Sequence, residues 1–407
     1  MENLEKNKTL PKILHFIWWI PHYRSSIFRK LCQNPNFDFE VIAGNNSKTW
    51  GGGMVTSAEE AGKINGIKWR CVKSKRIIGP IFKDYEWQPE SIKIILREKP
   101  DAVICLGNKS LSNFIIRFIC RVRKTPLIEW SHGVLAPEAM WKWLLRKFLY
   151  VRWTDANLLY GSFARDWYMS HGINEKSLFV VNNSLDYNQQ LLIRNEVDQK
   201  EIIKIRSKYG INHPEGRLLI HAGRMEKQKR LSFLIDVLTI IKKQERKIKL
   251  ILIGSGRDEQ KLQKKAKKRG LENTVIFFGP CFEEKTLGRL FMASDLCVVP
   301  GGVGLIAMHS LVYGTPILTC DNATFIHKPE VEAIKDGITG AYYRESDLND
   351  CIQKIIDLLY PISCKERMSK ACMDIIDRFY TPQYQEKIII KALNYVLPAQ
   401  KQIPYEP

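Results

Sequence analysis

Short apolar runs alternate with longer amphipathic stretches through most of this chain, and that alternation limits it to a small set of folds. In the first half, "ILHFIWWI", "FDFEVIAG", "DAVICLG", "TPLIEWSHG", "DANLLYGS" and "KSLFVVNNS" have the length and content of buried strands. Between them lie "WQPESIKIILREKP", "SLSNFIIRFICRVRK" and "PEAMWKWLLRKFLYVRW", whose spacing and end charges are helical. Strand and helix in turn predict a parallel sheet covered on both faces. The pattern pauses at 185–213, a polar and charged stretch read as an interdomain linker, and resumes with "GRLLIHAG" through 340. At 407 residues the chain is too long for one comfortable core. Two Rossmann-like α/β domains are expected, over 1–190 and 205–375, followed by helical residues 376–407. Ligands of such sheets sit beyond the carboxyl ends of the strands.

Three turns at successive strand ends suit an anion. In "GRMEKQK", Gly223 and Arg224 follow a strand and Lys229 opens the next helix. Two cations there can bracket a diphosphate and absorb the charge that develops as it leaves, although alone they would read as a solvated surface turn. "LILIGSGRDEQ" puts Gly254 and Gly256 at a second junction. "VVPGGVGLIAMHSLVYGTP" is the third: Gly301, Gly302 and Gly304 permit a sharp turn, with Val303 and Leu305 completing it. The amides of 302–305 can meet a phosphate or sugar hydroxyls. His309, one turn into the helix, is either a core histidine or a ligand to a ribose hydroxyl. Backbone groups of Pro280 and Cys281 end a further strand and could face a base. Glu330 and Glu332 are either a helix-start acidic pair or a source of one carboxylate for sugar hydroxyls.

The formal net charge of +20 reads either as a solubilising basic surface or as a match for an anionic membrane, nucleic acid or anionic substrate. Residues 117–153 carry eight basic and two acidic residues, with three tryptophans in "MWKWLLRKFLYVRW". That composition fits either an interfacial helix on anionic lipid or a core-facing helix with a basic rim. The basic residues are dispersed among α/β elements without a nucleic-acid-binding signature, so nucleic acid is not expected as a partner. The ten cysteines form no Cys-x2-Cys pair and read as small buried hydrophobes of a reducing compartment. The charged N-terminus shows no signal-peptide pattern, and "ILHFIWWI" is too short to cross a bilayer. A cytoplasmic protein is expected, with membrane contact from the inner surface.

The run 218–340 resembles the family-4 retaining glycosyltransferases of the GT-B fold. Arg224 and Lys229 match that family's diphosphate-binding pair, "GLIAMHSLVYGTP" its helix after the glycine turn, and Pro329 with Glu330 its Pro-Glu. "EWSHG" places His132 where the family carries a histidine near the donor sugar. The chain departs from the family's Glu-x7-Glu pair, which aligns with Gly301 and His309. The first strand's turn, "WWIPHYR", also lacks the usual glycine pair. The resemblance implies two facing domains, with a C-terminal helix crossing back to the N-terminal, acceptor-binding one. It implies retaining, metal-independent transfer of a hexosyl or deoxyhexosyl group. The donor would be a UDP- or GDP-linked sugar and the acceptor a glycan or lipid-linked glycan, as in capsule or O-antigen synthesis. Catalytic roles would fall to His132, Arg224 and Lys229, with no cofactor beyond the donor. A non-catalytic GT-B partner subunit and a nucleotide-sugar epimerase are the alternatives.

Overall fold

Runs too apolar for a sheet edge become the interior strands of two parallel sheets. The structure is a computed structural model that describes residues 10–44, 66–77, 85–107, 109–244, 247–321, 327–360 and 363–404. The glycine-rich polar run 45–53 and the extreme N-terminus lie outside the described residues. The chain divides into two units, Met1–Asp186 with Pro382–Pro407, and Tyr187–Thr381.

The first unit holds strands β1 (Lys12–Ile17), β2 (Asp38–Gly44), β3 (Trp69–Val72), β4 (Lys75–Ile77), β5 (Tyr85–Trp87), β6 (Ala102–Leu106), β7 (Leu127–Ser131), β8 (Ala156–Leu159) and β9 (Leu178–Val180). Seven form a sheet in the order β3-β2-β1-β6-β7-β8-β9, every pair parallel, while β4 and β5 make a separate antiparallel pair. Strand alternation sends Ile13 and Ile17 to one face and Leu14 and Phe16 to the other. The helix Ser25–Gln33 covers the first face with Ile27, Phe28 and Leu31. Beside it the C-terminal helix Pro382–Val396 adds Ile389, Ile390 and Leu393. Gln385 anchors that helix by accepting from Ser184 Oγ at 2.5 Å and donating to the Asn182 carbonyl at 3.0 Å.

The second unit has β10 (Arg217–Ala222), β11 (Ile248–Ile253), β12 (Val275–Gly279), β13 (Leu296–Val299), β14 (Ile317–Cys320) and β15 (Gly340–Tyr343), ordered β12-β11-β10-β13-β14-β15. All its pairs are parallel. The strand order reverses between β10 and β13, as it does between β1 and β6, and such switch points are where doubly wound sheets open a crevice.

The segment read as a linker is two helices of the second unit, Tyr187–Glu196 and Gln199–Lys208. They lack a continuous apolar stripe because ion pairs hold them. Arg194 pairs with both Asp377 oxygens at 3.0 and 2.9 Å. Arg206 binds Asp295 and the Ala293 and Gly216 carbonyls at 2.8–2.9 Å. The second unit therefore begins at 187 rather than 205 and runs to 381 rather than 375, and the returning segment starts at Pro382 rather than 376.

Each central strand carries a buried histidine facing its neighbour across the switch. His15 Nδ1 meets the Ile104 carbonyl at 3.2 Å, and His221 Nδ1 the Val298 carbonyl at 2.9 Å. Among the described residues, both Nε2 atoms are buried without a hydrogen-bond partner. Burial, with the Arg24 charge next, holds His15 down to about 3; burial, and then the charge of Lys229, holds His221 at about 4. Both rings are thus neutral in the fold. Below the ordinary histidine range the unfolded chain takes up a proton that the folded one refuses, so stability is lost as pH falls from about 6.5 towards 3. All ten tryptophans lie in residues 18–167, so their fluorescence follows the first unit alone. Glu86, pushed up to about 7 by burial, works in the opposite sense, which makes the variant-minus-native difference the quantity to read. In His15→Gln the slope of unfolding free energy against pH, between about pH 6 and 4, is expected to fall by about 1.4 kcal/mol per pH unit. An unchanged slope in urea titrations would contradict the neutral assignment.

Candidate functional site

The turns after β10 and β13 lie together because those strands are hydrogen-bonded neighbours. Gly223 and Arg224 follow β10, and a 3-10 turn, Lys227–Lys229, brings the Lys229 side chain back across β13. Lys229 Nζ donates to the Gly302 carbonyl at 2.6 Å, and the Gly302 amide donates to the Gln228 carbonyl at 3.3 Å. Gly301 makes this approach possible. A Cβ there would sit 2.1 Å from the Gln228 oxygen and 2.9 Å from two Lys229 backbone atoms. The close packing at Gly301 is therefore between two turns, and no carboxylate side chain fits at that position beside this one.

Lys229 is half-buried, and burial, with the neighbouring charge of Arg224 and then Lys328, pushes its ammonium below the ordinary lysine range, against a smaller upward pull from Glu226 and Glu330. Arg224 is the exposed member, 63% accessible, its Nη1 3.3 Å from Glu226 Oε1. Positive charge is thus concentrated at the carboxyl ends of β10 and β13 and is only partly compensated.

The other glycines serve the loops that carry this charge. Gly254 adopts φ +122°, and a Cβ there would lie 2.1 Å from the Gly223 oxygen; one on Gly256 would lie 2.4 Å from the Met225 oxygen. Their close contact is with the β10 turn, so Gly223, Gly254 and Gly256 form a support beneath Arg224. Of the four amides at 302–305, two are engaged within the fold: Gly302 with Gln228 and Val303 with His327 Nδ1 at 3.1 Å. Among the described residues, the Gly304 and Leu305 amides make no intramolecular bond and stay available. Pro280 and Cys281 follow β12, with Cys281 Sγ 3.7 Å from the Glu283 carbonyl. Glu330 is buried in the 3-10 turn Pro329–Ala333 after β14, and Glu332 is half-buried there.

His309 projects from the helix Ile306–Val312 and lies parallel to Phe291, with ring centroids 6.4 Å apart. Its Nδ1 is 3.3 Å from Glu284 Oε1 and 3.5 Å from Gln190 Nε2. The same Glu284 oxygen accepts from Tyr313 at 2.9 Å and Gln190 at 2.8 Å. Burial alone would raise the Glu284 pKa; the hydrogen bond and charge of His309, helped by Gln190 and Tyr313, outweigh it and hold the carboxyl at about 2. With Nδ1 committed to a carboxylate, Nε2 is the atom His309 offers to a ligand. Sequence reading found His309 but not Glu284. The signal was the acidic pair Glu283-Glu284 opening a helix just beyond the β12 end.

In the first unit, His132 follows β7, exposed, with its ring 4.8 Å from that of Tyr160 after β8. The helix Met140–Leu149 buries only Trp143, so it is not core-facing. Met140, Trp141, Leu144, Leu145 and Phe148 are each more than half exposed, as are Phe118 and Val122 on the neighbouring helix Leu111–Arg123. Trp153 joins the two, 6.4 Å from the Phe118 ring and donating to the Phe148 carbonyl at 2.9 Å. Among the described residues no helix is long and apolar enough to cross a membrane.

Residues 201–371 match the family model described as glycosyl transferases group 1. The chain is 26% identical over 305 residues to alpha-monoglucosyldiacylglycerol synthase of Streptococcus pneumoniae, covering 70% of this chain and 66% of that protein. It is 22% identical over 304 residues to sulfoquinovosyl transferase SQD2 of Arabidopsis thaliana, covering 72% and 56%. The chain thus spans two thirds or less of the length of these relatives. The crystal structure of HepE from Anabaena in complex with UDP superposes with a TM-score of 0.68 at 16% identity, covering 93% of this chain and 98% of that one. The two Rossmann-like halves and the likeness to HepE give the chain the GT-B fold, and residues 201–371 match the glycosyl transferases group 1 model.

Proposed function

We propose that this protein transfers a sugar from a nucleotide diphosphate sugar to a hydroxyl of a glycan or lipid-linked acceptor. The observation that carries the reading is the Lys229 bridge to Gly302 beside the exposed Arg224 guanidinium. It prepares a preorganised pair of cations for a diphosphate that gains charge as it departs. The UDP bound to HepE supports UDP as the base-bearing half of the donor. In this reading Arg224 and Lys229 do for the phosphates what a metal ion does in other transferases. The Gly304 and Leu305 amides add donors, and His309 Nε2, oriented by Glu284, takes a ribose hydroxyl. Substitution proceeds at the front face with retention. The leaving phosphate helps take the proton from the acceptor hydroxyl.

The glycolipid product named for alpha-monoglucosyldiacylglycerol synthase favours a lipid-linked acceptor met at a membrane. The exposed apolar side chains of Met140–Leu149 and Leu111–Arg123, rimmed by Arg121, Lys124, Lys142 and Arg152, fit an anionic lipid surface at the cytoplasmic face. A second reading, a GT-B subunit that supports an active partner, draws on the absence of a carboxylate at Gly301. Nucleotide release from donor plus acceptor by the purified protein separates the two.

Arg224→Ala is expected to lower kcat about a hundredfold with little change in donor KM, because its charge matters most as the diphosphate leaves. His309→Ala and Glu284→Gln should instead raise donor KM roughly tenfold and leave kcat within about threefold. Steady-state kinetics that showed the reverse split would reject these assignments.

UDP affinity is expected to weaken as pH rises, starting below the ordinary lysine pKa of about 10.4, because Lys229 must keep its proton to hold the phosphates. Calorimetric titrations of Lys229→Arg should show no such alkaline decline, since a guanidinium does not deprotonate there. A parallel decline in both proteins would assign the titration to another group.

Trp141→Ser with Phe148→Ser should reduce sedimentation with phosphatidylglycerol vesicles by about tenfold at low salt, while leaving UDP affinity unchanged. Equal vesicle binding by the variant and the native protein would remove this surface from the proposal.

A further inference from the structure

Arg24 is a buried cation with no anion beside it among the described residues. It ends the 3-10 turn His22–Arg24 after β1 and precedes the helix Ser25–Gln33. It is only 6% exposed, yet among the described residues it has no ion pair. One guanidinium nitrogen donates to the Tyr160 hydroxyl, while Nε and Nη1 are buried with no hydrogen-bond partner. The guanidinium carbon stands 5.3 Å from the ring centres of Trp130 and Tyr160 and 5.8 Å from that of Tyr23. Those rings offer their negative faces to the cation, but they cannot satisfy N–H groups that point outward in the guanidinium plane. A stacked guanidinium with an idle Nε–Nη1 edge is set for two parallel bonds to one oxyanion.

The surroundings strengthen this. The following helix has no acidic residue in its first turn and no side-chain cap, so its positive end adds to the field instead of offsetting it. Arg24, His132 and Tyr160 follow β1, β7 and β8, so all three stand at the carboxyl rim of the first sheet. That rim is where a doubly wound sheet takes its ligand.

We infer that Arg24 is the anchor of a phosphate-binding subsite in the first unit, which receives a phosphate group of the acceptor. The assignment to the acceptor rests on the glycosyltransferase reading above; the subsite itself does not. The anion would lie along the Nε–Nη1 edge, beside the Tyr160 ring.

The test uses the full chain with saturating UDP present, so that the second unit's cations are engaged. Titration with inorganic phosphate, and separately with glycerol 3-phosphate, should change the tryptophan emission, since Trp130 touches Arg24 and every tryptophan lies in the first unit. Arg24→Gln should weaken the response roughly tenfold to a hundredfold, and Arg24→Lys, which keeps the charge but loses the fork, about tenfold. Arg224→Ala should leave it intact. Tighter binding of glycerol 3-phosphate would assign the group to a lipid headgroup, and tighter binding of inorganic phosphate to a free phosphate; either supports the subsite. Three results would overturn it: no response in the native protein, an equal response in folded Arg24→Lys, or a response lost in Arg224→Ala instead. A response to acetate but not to phosphate would also overturn it. Failure of UDP to bind, read separately by calorimetry, would count against the transferase reading and not against this site.

Discussion

The contact between Lys229 Nζ and the Gly302 carbonyl, 2.6 Å long, organises the second unit's rim. It ties the turn after β10 to the turn after β13 at the point where the strand order reverses. It also positions a partly desolvated ammonium beside Arg224. An ammonium in water would be strongly hydrated and loosely placed; here one donor is spent on a carbonyl so that the others point in a fixed direction. The arrangement depends on glycine at 301, since any side chain would meet the Gln228 oxygen. Gly254 and Gly256 repeat the device on the other side of β10, packing the β11 turn against the β10 turn. The charges are therefore held by backbone packed on backbone, which moves little when a ligand arrives.

Much of this architecture was legible in the residues. Alternating apolar and amphipathic runs state a parallel sheet, and glycines with cations at strand ends mark one rim of it. Three things were not legible. The helices Tyr187–Glu196 and Gln199–Lys208 dock through Arg194 and Arg206 ion pairs, so they carry no apolar stripe by which to read them. Gly254, Gly256 and Gly301 read as room for a ligand, whereas their missing Cβ atoms make room for neighbouring turns. That distinction depends on which loop lies opposite, and spacing along the chain holds no information about it. Glu284 was missed because its partners, Gln190, His309 and Tyr313, come from elements far apart in sequence. Arg24 looked like any basic residue in a polar turn, and only its burial among rings distinguishes it.

The two units use buried nitrogen chemistry in a parallel way. His15 and His221 each occupy a central strand and bond the strand across the switch. Neither ring can charge without desolvation cost, so each reinforces the seam where the sheet's helical cover changes direction. The cations at the rims are treated differently: Lys229 stays half-exposed and partly compensated, and Arg24 is enclosed by aromatic faces. The first can follow a leaving group's charge as it develops. The second is suited to a charge that stays constant through a reaction.

That contrast bears on the departure at Gly301 and His309. If they occupy the places of two glutamates, as the resemblance implies, the rim has lost two carboxylates next to a diphosphate. Repulsion toward the phosphates falls accordingly, but so does the number of acceptors for sugar hydroxyls. The one carboxylate retained near His309 is Glu284, set behind the imidazole and satisfied by three donors. On the proposed reading, a ribose hydroxyl meets one ring nitrogen, Nε2, instead of a carboxylate with two oxygens, and nucleotide recognition at this point depends more on geometry and less on charge. On the proposed reading, discrimination among donor sugars comes from groups other than the residue at 301, and the buried Glu330 after β14 is a carboxylate whose charge Lys229 feels besides Glu226.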